Sequence, residues 1–152
     1  MSRAEKAKEY FNEGYACSQA VALAFADICD IDAEEMSKLA LPFGGGLGRL
    51  RLTCGAVSGM AMVAGAVFAS AENTRENKLS TYTIVRELCE KFESECGSLI
   101  CADLLSSAGV TVTVGGDAEA RTEKYYKKRP CSEIVFIAAN ILENYLKEKG
   151  KI

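Results

Sequence analysis

Apolar residues recur along this chain mostly at intervals of three and four, the spacing that lays them on one face of an α-helix. Ala4, Ala7 and Phe11 alternate with charged residues and predict a first helix that Ser2 caps, that runs through Asn12 and that Gly14 ends. A second is expected from about Cys17 to Cys29, with Val21, Phe25 and Ile28 inward. Asp32 caps a short third, which carries Met36 and Leu39 and stops before Pro42. A glycine-rich loop follows, Phe43-Gly44-Gly45-Gly46-Leu47-Gly48-Arg49, and then the most apolar stretch of the chain, which predicts a buried Gly/Ala-rich helix from Cys54 to about Ala71 with Thr53 as its cap. A fifth helix covers roughly Arg75 to Glu95 with the stripe Leu79, Tyr82, Val85, Cys89, Phe92, Cys96. Cys101 to Ser106 is a short sixth, Asp117 to Lys128 a seventh, and Ser132 to about Lys149 the last, burying Val135, Ala138, Ile141, Leu142 and Tyr145.

One segment breaks the helical rhythm. Val110-Thr111-Val112-Thr113-Val114 alternates like a strand, but one strand is not stable alone, so it is expected as a loop, half a hairpin or a pairing element between subunits. The fold class is therefore all-α, a single domain over 1–152 built as a bundle of about six to eight helices with a Gly-rich loop and a buried Gly/Ala-rich helix. Within that helix Gly55 and Gly59 share a face, with Gly65 further on. Glycine inside a helix costs about 1 kcal/mol against alanine, so the three imply close backbone approach by another helix or by a bound group.

Composition narrows the class. The chain has 152 residues, 49% of them hydrophobic, which is ample for one core. A net charge of −3 leaves no basic footprint, so no nucleic-acid partner is expected; Tyr125 and Tyr126 beside Lys124, Lys127 and Lys128 read as surface. The apolar stretch Ala56 to Ala71 falls short of the ~20 residues a membrane span needs, and the amphipathic Met1 to Phe11 does not resemble a leader, so the expected location is cytoplasmic.

Cysteine carries the chemistry. The sequence has seven cysteines and no histidine. Cys17, Cys54, Cys101 and Cys131 each follow a break that fits a helix start, where unpaired backbone N–H groups favour the thiolate, the form that ligates metals and attacks disulfides. Cys29, Cys89 and Cys96 read mainly as small core residues, with Cys96 a minor candidate partner for Cys101. A reducing compartment and an odd count argue against a structural disulfide framework.

These residues resemble a known family over nearly the whole chain. Cys17 before an Ala/Val helix, the Phe43 to Arg49 loop, Cys54-Gly55-Ala56-Val57-Ser58-Gly59 reading as CGAxxG, then Gly97-Ser98-Leu99-Ile100-Cys101 and Cys131 are similar to the C-GCAxxG-C-C family of redox-active proteins. Its four naming cysteines match Cys17, Cys54, Cys101 and Cys131. The family is also similar to part of the split-Soret cytochromes, which are dimeric and associated with haem and an iron-sulfur centre. The resemblance implies a redox or metal function and leans towards a homodimer. No c-type haem is expected, because C-x-x-C-H and an axial histidine are both missing.

Three chemistries use such thiolates. Cys17, Cys54, Cys101 and Cys131 suit the Cys₄ ligation of an iron-sulfur cluster, with Gly55, Gly59 and Arg49 as groups contacting the cofactor. Zinc also accepts four cysteines, although its structural sites draw two ligands from a short knuckle and none is present. Alternatively, Cys54 is the nucleophile of a thiol/disulfide oxidoreductase, with Cys17, Cys101 or Cys131 resolving. Arg49 and Arg51, just before Cys54, hold a thiolate or an anionic substrate, or simply face solvent. The redox partner is not identified by any of these features.

Overall fold

The computed structural model describes all residues 1–152. The helices α1 (Arg3–Asn12), α2 (Cys17–Leu23), α3 (Ala26–Cys29), α4 (Ala33–Ala40), α6 (Gly55–Phe68), α7 (Arg75–Cys96), α8 (Cys101–Ser107), α9 (Glu123–Lys128) and α10 (Cys131–Glu148) form an all-α fold without strands. A short 3₁₀ turn, Leu41–Phe43, leads into α5 (Gly44–Leu47), which is helical in hydrogen bonding only: Gly45 and Gly46 have left-handed backbone angles. None of the helices is long and apolar enough to cross a membrane.

Helix α2 lies at the centre, with Ser18 to Leu23 all buried. Its alanines let α1, α4, α6 and α10 close around it. The polar side chains this burial traps are all satisfied, as they must be. Ser18 Oγ donates to Ala40 O at 2.7 Å, while Gln19 Nε2 donates to Ser37 O at 3.0 Å and Gln19 Oε1 accepts from Ala16 N at 2.9 Å. That last bond caps the helix that Cys17 opens. One cluster of 30 buried residues runs from α1 through α2, α6 and α10.

Several expectations hold, among them the Ser2 and Asp32 caps and the inward faces of α1 and α10, but the N-cap of α6 is Cys54 and not Thr53, with no side-chain cap bond. Others need correction. The second expected helix is broken at Phe25, where φ is −123° and ψ 8°; Arg3 holds the break, donating to the freed Ala24 carbonyl at 2.8 Å while its guanidinium lies over the buried Phe25 ring. On α7 the inward residues are Leu88 and Phe92, whereas Leu79 and Tyr82 are exposed, because the helix meets α6 and α10 over only part of its length. Leu39 is exposed as well. Residues 117–122 are not helical, and only α9 forms beyond them, capped by Thr122. Its Tyr125 and Tyr126 pack on Phe11 instead of standing free on the surface.

The glycines of α6 separate cleanly. A Cβ on Gly59 would stand 2.9 Å from Ser18 O and from Val21 Cβ, and one on Gly55 3.0 Å from Phe43 O and 3.2 Å from Ser18 N, so this face admits the α2 backbone. Gly65 has nothing within 4 Å and no such role. Gly59→Ala is expected to lose about 1–3 kcal/mol by overpacking, while Gly65→Ala gains up to about 1 kcal/mol from helix propensity. Urea denaturation of the two variants checks the difference in sign.

Candidate functional site

Cys17, Cys101 and Cys131 are the first residues of α2, α8 and α10, and Cys54 is the N-cap of α6. Helix starts from four separate segments thus bring four sulfurs to the wall of one cavity of about 350 Å³. All seven cysteines are free thiols. Cys29, Cys89 and Cys96 pack on the core away from this cavity, so Cys96 does not join Cys101 there.

The backbone that places these residues is unusual. From Gly45 to Arg49 every residue has positive φ, between 56° and 68°, and Arg51 follows at 61°. Arg49 N, Arg51 N and Leu52 N close the turn on the carbonyls of Gly44, Gly45 and Gly46 at 3.3, 3.1 and 3.0 Å. Glycine allows this at three positions, but Leu47, Arg49 and Arg51 each pay about 1–2 kcal/mol for left-handed geometry. Such strain persists where the surroundings over-determine it, commonly at functional sites. Here the turn passes the chain directly into a short antiparallel pairing of Thr53 with Ile100. Cys54 N donates to Leu99 O at 2.8 Å and Cys101 N to Leu52 O at 2.6 Å, which ties two of the four cysteines together through main chain.

The strand-like segment resolves as a loop. It lies beside the left-handed turn, with Gly115 N donating to Arg49 O at 2.9 Å, and takes side-chain bonds as well: Arg49 Nε to Gly115 O at 2.9 Å and Arg51 Nε to Thr113 O at 3.0 Å. Neither arginine is a free solvent-facing residue. Both line the cavity, and Arg51 Nη1 donates towards Cys101 Sγ at 3.7 Å.

Helix starts do not make all four thiols acidic. Burial pushes Cys54 up to about 12, against a smaller opposing effect from the Ala56 and Val57 N–H groups. Cys17 and Cys131 interact thiol to thiol, and that contact is the largest influence on both: it holds the proton on Cys17, raising it, and lowers Cys131, which Arg129, Arg121 and Arg51 lower further. The acidic thiol expected at Cys54 is therefore at Cys131, because desolvation outweighs two N–H donors when no cation faces the sulfur closely.

Among the groups expected to contact a cofactor, Gly55 and Arg49 line the cavity, while Gly59 is covered by Ser18 and Val21 and does not. The sequence reading missed Arg121, Arg129, Glu119 and Tyr125. Arg129 had a signal, standing two residues before Cys131 as Arg51 stands three before Cys54. Arg121 had none: Phe11 O and Tyr15 O hold it at 2.9 and 3.0 Å, more than a hundred residues away in sequence.

The donor set is all sulfur. As placed, no three of the chain's cysteine and carboxylate side chains close on a common point as a single-ion site requires. Tetrahedral zinc needs four ligands within about 2.3 Å of the metal. The four thiols around this cavity are the ligand type that a thiolate-held cluster takes.

No curated protein and no solved structure matches this chain. A family model described as "Putative redox-active protein (C_GCAxxG_C_C)" matches residues 15–145, a span that contains all four cavity cysteines, the left-handed turn and the Gly55–Gly59 face. The chain belongs to this redox-active family.

Proposed function

We propose that the protein is a redox protein in which Cys17, Cys54, Cys101 and Cys131 hold an iron-sulfur cluster used for electron transfer or sensing. The observation that carries this reading is the meeting of four thiols from four separate segments at one cavity, since disulfide exchange needs only two. The cluster, when bound, supplies a reversible one-electron couple. The chain's residues do the rest: the four thiols ligate, the backbone at Gly45 and Gly55 keeps the lining thin, and the guanidiniums of Arg51 and Arg129 offset thiolate charge. Anaerobic purification followed by visible absorption and analysis for iron, zinc and acid-labile sulfide tests it. Iron with matching sulfide is expected, and a colourless, metal-free protein would overturn the reading.

A second reading rests on the contact between Cys17 and Cys131. As a thiol/disulfide oxidoreductase the protein attacks with Cys131, not Cys54. The Cys131 thiolate bonds to one sulfur of a substrate disulfide and expels the other as a thiolate. Cys17, losing its proton, then displaces the second half and closes a Cys17–Cys131 disulfide, so the protein gives up two electrons and the substrate gains them. Either chemistry fits a reducing cytoplasm, the location expected from the odd number of cysteines.

A homodimer belongs to the same proposal, but on new grounds. The glycine face of α6 and the 110–114 segment are occupied within this chain, whereas Leu79 and Tyr82 leave an apolar face on α7 that a second copy would cover.

A further inference from the structure

Four of the chain's seven arginines, Arg49, Arg51, Arg121 and Arg129, line the cysteine cavity, and none of its lysines does. Charge placed only for solubility draws on both residue types. A lining of guanidinium alone presents the planar, forked donor that matches a carboxylate or phosphate in two parallel bonds. Glu119 is the one carboxylate in the lining, and it is paired with Arg129. No carboxylate lies within ion-pair reach of Arg49, Arg51 or Arg121. The lining thus sets four cations against one anion in a chain whose net charge is −3.

Three of these cations are held by neutral groups. Backbone carbonyls of Gly115 and Thr113 fix Arg49 and Arg51, and those of Phe11 and Tyr15 fix Arg121, whose guanidinium also lies 4.3 Å from the Phe11 ring centroid. Carbonyls and rings fix the position of a guanidinium without cancelling its charge. Donors remain unused: Arg51 is 7% exposed, its Nε and Nη1 are engaged, and its Nη2 has no partner within the chain. A buried, uncancelled guanidinium is costly unless an anion completes it. The cavity is concave and of a volume suited to a small molecule, with Leu41, Leu104 and Ile134 giving it an apolar side.

We propose that this cavity binds a small anionic molecule, a carboxylate or phosphate compound, whose charged group Arg49, Arg51, Arg121 and Arg129 hold beside the sulfur site. The proposal rests on the reading of the cavity thiols as the redox site and names the charge class of the molecule that site receives. Calorimetric titration of the anaerobically purified protein with citrate, and separately with inorganic phosphate, at fixed ionic strength tests it, with iron, sulfide and reactive thiols measured on the same sample. One-to-one binding of at least one titrant is expected, citrate alone marking a carboxylate ligand and phosphate alone a phosphate compound. Binding should weaken about tenfold or more in Arg49→Gln, and likewise in Ala118→Glu, which brings a carboxylate to the lining while leaving every arginine contact in place. Failure of both titrants to bind, or binding that both variants leave unchanged, overturns the proposal. An anion bound by a sample with neither iron nor reactive cavity thiols upholds the anion site and overturns the redox reading; a redox-active sulfur site that binds neither titrant does the reverse.

Discussion

Gly46→Ala is expected to destabilise the protein by about 2–5 kcal/mol, the sum of a left-handed backbone cost and a steric one. Gly46 has φ +68°, and a Cβ there would stand 2.7 Å from Cys101 Cβ, 2.8 Å from Leu52 N and 3.0 Å from Leu52 O. Two of those neighbours are backbone in the segment that pairs with Ile100, so relief requires the Thr53–Ile100 bridge to open. Typical domains have only about 5–15 kcal/mol in total, so the loss is large. Gly48→Ala is the matched control: φ is +56° but nothing lies within 4 Å, and the expected cost is about 1–2 kcal/mol. Urea denaturation of both variants, with the count of reagent-accessible thiols in each, decides the matter. Equal stability of the two would show that the close approach to Cys101 does not hold the site.

Serine at Cys17, Cys54, Cys101 or Cys131 is expected to reduce cluster retention by more than about 100-fold in each case, because losing a ligand exceeds the 10–100-fold cost of losing an outer partner. Serine at Cys29, Cys89 or Cys96 should leave iron and sulfide content unchanged, since those thiols pack on the core. Iron and sulfide per chain, measured across the seven variants, gives the pattern. Four losses and three retentions support the cluster. The dithiol reading expects a different pattern in the rate of reaction with a small disulfide: Cys131→Ser abolishes the fast phase, Cys17→Ser stops at the mixed disulfide, and Cys54→Ser reacts normally because burial holds its thiol near 12.

The legible part of this protein was local. Helical spacing, caps and stops located α1, α4 and α10 closely, and four thiols at helix starts could be separated from Cys89 and Cys96 on an apolar stripe and Cys29 at a helix end, because a cap or a stripe is written in neighbouring residues. The failures share another cause. The break at Phe25 depends on Arg3, the exposure of Leu79 and Tyr82 on where α6 and α10 end against α7, and the acidity of Cys131 on Cys17, Arg121 and Arg51 from other segments as well as on neighbouring Arg129.

By itself, then, the order of residues determined an all-helical chain, sulfur as its reactive element, and the family to which it belongs, since hydrophobic period, capping chemistry and motif spacing act over a few residues. Only the tertiary structure decided that the four sulfurs share one cavity, which of them is acidic, and that arginine surrounds them. Desolvation and Coulomb attraction depend on distance in space, and Arg121 reaches the cavity across more than a hundred residues of chain from the carbonyls that hold it.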